Sequence, residues 1–178
     1  MKLKNELAQK AHATALEKGF YDAKPTDTHI LMMLLTEVTE LIQADRKGRK
    51  ADAETFELCK EDAPEMNFDL YMKGTKEDEF ADIAIRLLDY AGYIGVDFTK
   101  FENMNVPPTP VRNLTELAFL FTDKVTDATR RSDKKIFVYE LMIMIERWAD
   151  IEKIDLYYHI EQKMKYNKNR GRLHNNKY

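Results

Sequence analysis

Four carboxylates in two short segments are the residues best placed to do chemistry. Leu34-Leu35-Thr36-Glu37-Val38-Thr39-Glu40-Leu41-Ile42 sets Glu37 and Glu40 three residues apart, and Asp78-Glu79-Phe80-Ala81-Asp82-Ile83 does the same with Glu79 and Asp82. Both segments are rich in helix formers, so each pair lies on neighbouring turns of one helix surface. Like charges at that spacing repel, costing an isolated helix roughly 0.2–0.5 kcal/mol per pair. Asp82 has Arg86 four residues on, but neither Glu37 nor Glu40 has a basic residue three or four positions away. A hard divalent cation would neutralise them: Mg²⁺, with Mn²⁺ as a substitute, takes oxygen ligands and needs no His or Cys. The competing reading is plain: solvated helix carboxylates in a chain that is 33% charged.

Helices must carry these groups, and the apolar spacing supplies them. Leu3, Leu7, Ala8, Ala11, Ala15 and Leu16 trace a helix over residues 3–18, stopped by Gly19. Phe20 and Tyr21 follow, as core plugs or as a surface on which a base could stack. Pro25-Thr26-Asp27 starts a second helix that runs to about Arg46, with Glu37 bordering its apolar stripe and Glu40 further round. Its end, Asp45-Arg46-Lys47-Gly48-Arg49-Lys50, places cations where the helix dipole favours them, and Lys47 among them could face a phosphate. Residues 51–76 read as a connecting excursion broken by Pro64 and Gly74, with a short helix near Ala53–Cys59. A helix over about Lys76–Ile94 carries Glu79 and Asp82 on its flank and closes at Gly95, and Asn105–Pro110 is a linker.

Two further helices, about Val111–Arg131 and Lys134–Glu152, look like a worn copy of the earlier pair. An offset of 86 sets Glu37 against Asp123 but Glu40 against Thr126; an offset of 58 sets Asp82 against Glu140 but Glu79 against Phe137. The expected fold is therefore all-α, a helical bundle whose four-helix core is built from two related helix pairs, the second degenerate. A last helix starts near Leu156 and fades by Asn169.

At 178 residues the chain is read as one domain, with a metal-binding half over 1–100, the degenerate repeat over 111–156 and a basic tail over 157–178. The tail holds Lys163, Lys165, Lys168, Arg170, Arg172 and Lys177 without an acid after residue 162, leaving the rest of the chain at 22 basic against 31 acidic residues. Such a tail suits a polyphosphate beside a metal, or nucleic acid. One cysteine, Cys59, excludes an intrachain disulfide; with no apolar leader or membrane-length apolar run, a soluble cytoplasmic protein is expected.

Taken in order, three motifs carry a resemblance. Lys18-Gly19-Phe20-Tyr21-Asp22 with the Glu37/Glu40 segment running into Ala44-Asp45-Arg46-Lys47-Gly48-Arg49 is the first, and Asp78 through Asp89 the second. The third is His159-Ile160-Glu161-Gln162-Lys163-Met164-Lys165-Tyr166-Asn167-Lys168-Asn169-Arg170, with His174 beyond. Together they resemble the MazG-like group of all-α nucleoside triphosphate pyrophosphohydrolases. The resemblance implies that Glu37, Glu40, Glu79 and Asp82 hold Mg²⁺ and that Lys163, Asn167 and Arg170 contact phosphates. It also implies hydrolysis of a nucleoside triphosphate to monophosphate and pyrophosphate, as in house-cleaning or control of the nucleotide pool, by an oligomer such as a homodimer. Glu40 is the expected general base, the carboxylate left to take the proton.

Two rivals use other chemistry. A di-iron carboxylate bundle needs Glu-x-x-His, and the residues three before His12, His29, His159 and His174 are Gln9, Thr26, Leu156 and Gly171. A non-catalytic helical protein that binds nucleotide or nucleic acid is the alternative the basic tail suggests; it would bind with a steep salt dependence and survive loss of Glu37 and Glu79.

Overall fold

The computed structural model describes residues 1–175, so Lys177 of the basic tail lies outside the described residues. Side-chain caps fix where most helices begin. After α1 (Lys2–Glu17), Thr26 caps α2 (Asp27–Arg46) by accepting from the His29 amide, and Asp52 caps α3 (Ala53–Cys59) through Thr55. Next comes α4 (Pro64–Tyr71). Thr75 then caps α5 (Lys76–Ile94) through Asp78, and Asn113 caps α6 (Leu114–Asp127) through Glu116. Asp133 and Asp155 do the same for α7 (Lys134–Glu152) and α8 (Leu156–Asn169). Each such cap satisfies an amide that the first turn cannot.

No strand occurs among the described residues, and the fold is an all-α helical bundle. α5 is its axis: Phe80, Ala81, Ile83, Ala84, Leu87, Leu88 and Ala91 are wholly buried, and α1, α2, α7 and α8 pack around it. α6 lies on α2, so both helix pairs of the expected four-helix core contribute to one apolar cluster, with Phe121 of α6 and Phe137 and Leu141 of α7 inside it. Of the acids that the two offsets set against Glu37 and Asp82, Asp123 is exposed and Glu140 is ion-paired with Arg131 and Lys124.

The connecting excursion is more ordered than its composition suggested. Pro64 does not break a helix there; it occupies the first turn of α4, where its missing N–H costs nothing. Phe56 of α3 and Phe68 and Met72 of the α4 end close a small second core on Tyr166 of α8, whose ring stacks on Phe68 at 4.4 Å. Gly95, with φ +68°, ends α5 in the left-handed conformation that suits glycine.

Gly92 is needed for a different reason. A Cβ there would stand 2.6 Å from the Ala8 carbonyl oxygen and 2.6 Å from His12 Cβ, so α1 crosses α5 in contact with bare backbone. Alanine would gain about 1 kcal/mol of helix propensity, but overpacking typically costs about 1–3 kcal/mol and the obstacle here is backbone, which cannot turn away. Gly92→Ala is therefore expected to lower the melting temperature by several degrees, and an unchanged or higher melting temperature would show that α1 yields.

A candidate acidic metal centre

α2 and α5 bring their acids to one crevice. One oxygen each from Glu37, Glu40 and Glu79 lie within 4.8 Å of one another. Glu37 and Glu79 are buried, at 8% and 5% exposure, while Glu40 faces solvent. The sequence put Glu37 at the border of the apolar stripe and Glu79 on a flank; both lie inside, Glu79 because α5 is enclosed on several sides and Glu37 because that border of α2 packs on α5, where Arg86 meets it. Glu79 Oε2 is buried with no hydrogen-bond partner among the described residues, an expensive state for a carboxylate.

Asp82 stands apart from that trio. Its Oδ2 lies 2.6 Å from Lys163 Nζ, which also donates to both oxygens of Asp78 at 2.9 Å. Lys163, expected at a phosphate, is thus a buried internal partner in this structure, 5% exposed. Glu37 is not left bare either: Arg86 donates to its Oε1 through Nε and Nη2, each at 3.0 Å. Arg86 therefore serves the far helix and not only Asp82, its neighbour in sequence. Asp78 and the Arg86–Glu37 pair are the site residues that spacing alone missed. The signal was present in Asp78 and Asp82, a like-charged pair at i,i+4 that calls for a buried cation.

The electrostatics follow from burial and crowding. Burial, then the charges of Asp82 and Asp78, push the Glu79 carboxyl up to about 9 against the pull of Lys163. Burial and Asp82 push Glu37 up to about 7, with Arg86 opposing. Burial lowers Lys163, but Asp82 and Asp78 outweigh it and hold the ammonium well above its ordinary value. Five carboxylates (Glu37, Glu40, Asp78, Glu79, Asp82) thus share two cations, Arg86 and Lys163. The donor set is all oxygen, carries excess negative charge and holds an orphaned buried oxygen, so the residues fit Mg²⁺ or Mn²⁺.

A pH prediction comes directly from these shifts. Both carboxyls titrate higher in the folded chain than in the unfolded one, so the native state holds the extra protons. That stability is complete below about pH 4.5 and is lost as pH rises through about 7 and then 9. In chelator, the melting temperature should fall between pH 6 and pH 9, and millimolar Mg²⁺ should reverse the fall; a flat profile in chelator would contradict the assigned crowding.

The remaining expected residues sit on α8 and its continuation. Asn167 is buried and accepts from Arg170 Nη1 at 3.5 Å, while Arg170 Nη2 donates to the His174 carbonyl at 3.2 Å. Residues 170–175 fold back on the α1–α2 turn. The Leu173 amide donates to the Lys18 carbonyl at 2.8 Å, Arg172 pairs with Asp22, and the His174 ring meets Phe20 edge-on at 5.1 Å. Phe20 in turn has the Arg86 guanidinium 5.7 Å from its ring. Burial, then Arg170, Arg86, Lys18 and Lys163, push His174 down to about 4, so a neutral imidazole sits in cationic surroundings. Lys47 is exposed at the end of α2 and bonds Gln43 at 3.3 Å. Tyr21 donates to Asp89 at 3.0 Å, beside His12.

No helix among the described residues is long and apolar enough to cross a membrane. Compared with protein-family models, curated proteins and solved structures, the chain matches none.

Proposed function

We propose that this chain is a Mg²⁺-dependent hydrolase that cleaves between the α- and β-phosphates of a nucleoside triphosphate, releasing the monophosphate and pyrophosphate. One observation carries the reading: Glu37, Glu40 and Glu79 converge within 4.8 Å from two helices, with a buried oxygen of Glu79 left without a partner. Bound there, Mg²⁺ would neutralise phosphate oxygens and acidify a water. Glu37, Glu40, Glu79 and, once released from Lys163, Asp82 are the holding groups. Glu40, the exposed carboxylate of the trio, is the one open to a solvent molecule and takes its proton. Arg170 and Lys18 stand near His174, and their charges would suit a polyphosphate once it displaces the neutral Asn167 and backbone carbonyl partners they now hold. Phe20 and Tyr21 supply aromatic surface at the same end.

The nucleic-acid reading draws less support. Of the tail cations, Lys163 is buried, Arg172 is paired with Asp22, Lys165 with Glu161, and Arg170 bonds within the tail.

The test is a panel of natural and damaged nucleoside triphosphates with Mg²⁺, assayed separately for pyrophosphate and orthophosphate. Pyrophosphate as first product is expected; orthophosphate, or no turnover of any member, would overturn the assignment.

A further inference from the structure

Lys163 poses a question that the proposed chemistry leaves open. An ammonium has three donors and no acceptor. Asp78 already takes it at both oxygens, 2.9 Å each, from a side chain only 2% exposed. Lys163 nevertheless holds a second carboxylate, Asp82, at 2.6 Å. Asp82 follows Glu79 by three residues on α5, so it borders the carboxylate trio without belonging to it. The crevice it borders contains the unpartnered Glu79 Oε2, in a residue 5% exposed. One acid is engaged by a lysine that has another full partner, and its neighbour has an oxygen with none.

We propose that Lys163 is a resident stand-in for the divalent cation at Asp82. Asp82 exchanges Lys163 for the cation and joins Glu37, Glu40 and Glu79, while Lys163 keeps Asp78 as its counter-ion. This rests on the metal-dependent reading above. No covalent bond changes in the exchange. Two properties follow from the donor count. Lys163 competes with the cation for Asp82, so the metal alone binds more weakly than four free carboxylates would allow. Once Asp82 has left, one buried N–H of Lys163 lacks an acceptor, and an anionic phosphate oxygen in the crevice supplies it. Cation and triphosphate therefore reinforce one another's binding, each by the same factor. Lys163 is a positioning residue for the metal and gains its phosphate contact only after the exchange.

The experiment measures Mn²⁺ binding by electron paramagnetic resonance and Mg²⁺ binding by calorimetry, first with no nucleotide present and then with a non-hydrolysable one. The variant Lys163→Met with Asp78→Asn removes the lysine together with its buried counter-ion. Lys163→Gln with Asp78→Asn, which retains hydrogen bonding, is the second form. Each is made with and without Asp82→Asn. The paired variants should bind Mn²⁺ about tenfold more tightly than the native chain, and Asp82→Asn should weaken binding in them far more than in the native chain. An α,β-methylene triphosphate should strengthen Mn²⁺ binding in the native chain and much less in the paired variants. Equal Mn²⁺ affinity in native and paired forms, or an equal cost of Asp82→Asn in both, overturns the role of Lys163 and leaves the metal centre standing. If no form binds Mn²⁺, the metal-dependent reading falls and this exchange falls with it.

Discussion

Glu79→Gln should cut pyrophosphate release by roughly a thousandfold while raising the melting temperature of the metal-free protein at pH 8. The two effects share one cause. In the folded chain Glu79 is buried beside Asp78 and Asp82, and its carboxyl is pushed up to about 9. At pH 8 the folded chain must therefore hold a proton on Glu79 that the unfolded chain does not, and an amide of the same shape removes that cost. The same change removes one of three converging carboxylates, so millimolar Mg²⁺ should raise the native melting temperature but leave the variant's unchanged. Thermal scans with and without Mg²⁺, beside a pyrophosphate assay, check all three outcomes. A variant that is both inactive and less stable would mean that Glu79 supports the fold and not a cation.

Lys163→Met alone should be the most damaging single substitution considered for stability, about 3–5 kcal/mol. It leaves Asp78 buried without its counter-ion and leaves Asp82 charged beside it. For a chain of this size the loss corresponds to a fall in melting temperature of about 6–20 °C. The loss should grow as pH rises from 5 to 8, because stranded carboxyls bind protons more tightly in the folded state and must give them up at higher pH. Adding Asp78→Asn should recover most of the stability, since removing both members of a buried pair costs far less than removing one. Denaturant unfolding of the native chain and of the single and double variants checks this; a single variant as stable as the native chain would show that the pair contributes little, and a double variant no more stable than the single would show that a stranded Asp78 is not the cost.

The helices were largely legible in the sequence because each announces its own ends. Thr26, Thr75, Asp133 and Asp155 are side chains that cap, Gly95 stops α5, and the apolar spacing between them is long and regular. α4 was hidden because Pro64 reads as a breaker unless one knows that it stands in a first turn. The two i,i+3 acidic pairs were legible as candidates, but only the resemblance joined them into one site, and the structure gathers Glu37, Glu40 and Glu79 while Asp82 pairs with Lys163. The partners of those acids were not legible. Arg86 bonds Glu37 across 49 residues and Lys163 reaches Asp78 across 85, distances over which one-dimensional spacing says nothing. Burial was misjudged for a related reason. A stripe drawn for a helix packed on one side places Glu79 at its edge, but α5 is packed on several.

That enclosure also bears on how the molecule breathes. Amides along α5 lose protection only when the layers around it come away together, so their exchange with deuterated water should require opening of the entire domain. Glu79 and Asp82 ride on the last segment to yield, whereas Glu40 stands on a solvent-facing surface. The acidic crevice therefore joins an enclosed wall on α5 to the solvent-facing Glu40 of α2, and adjustment to a ligand should fall to side chains, not to the helical frame.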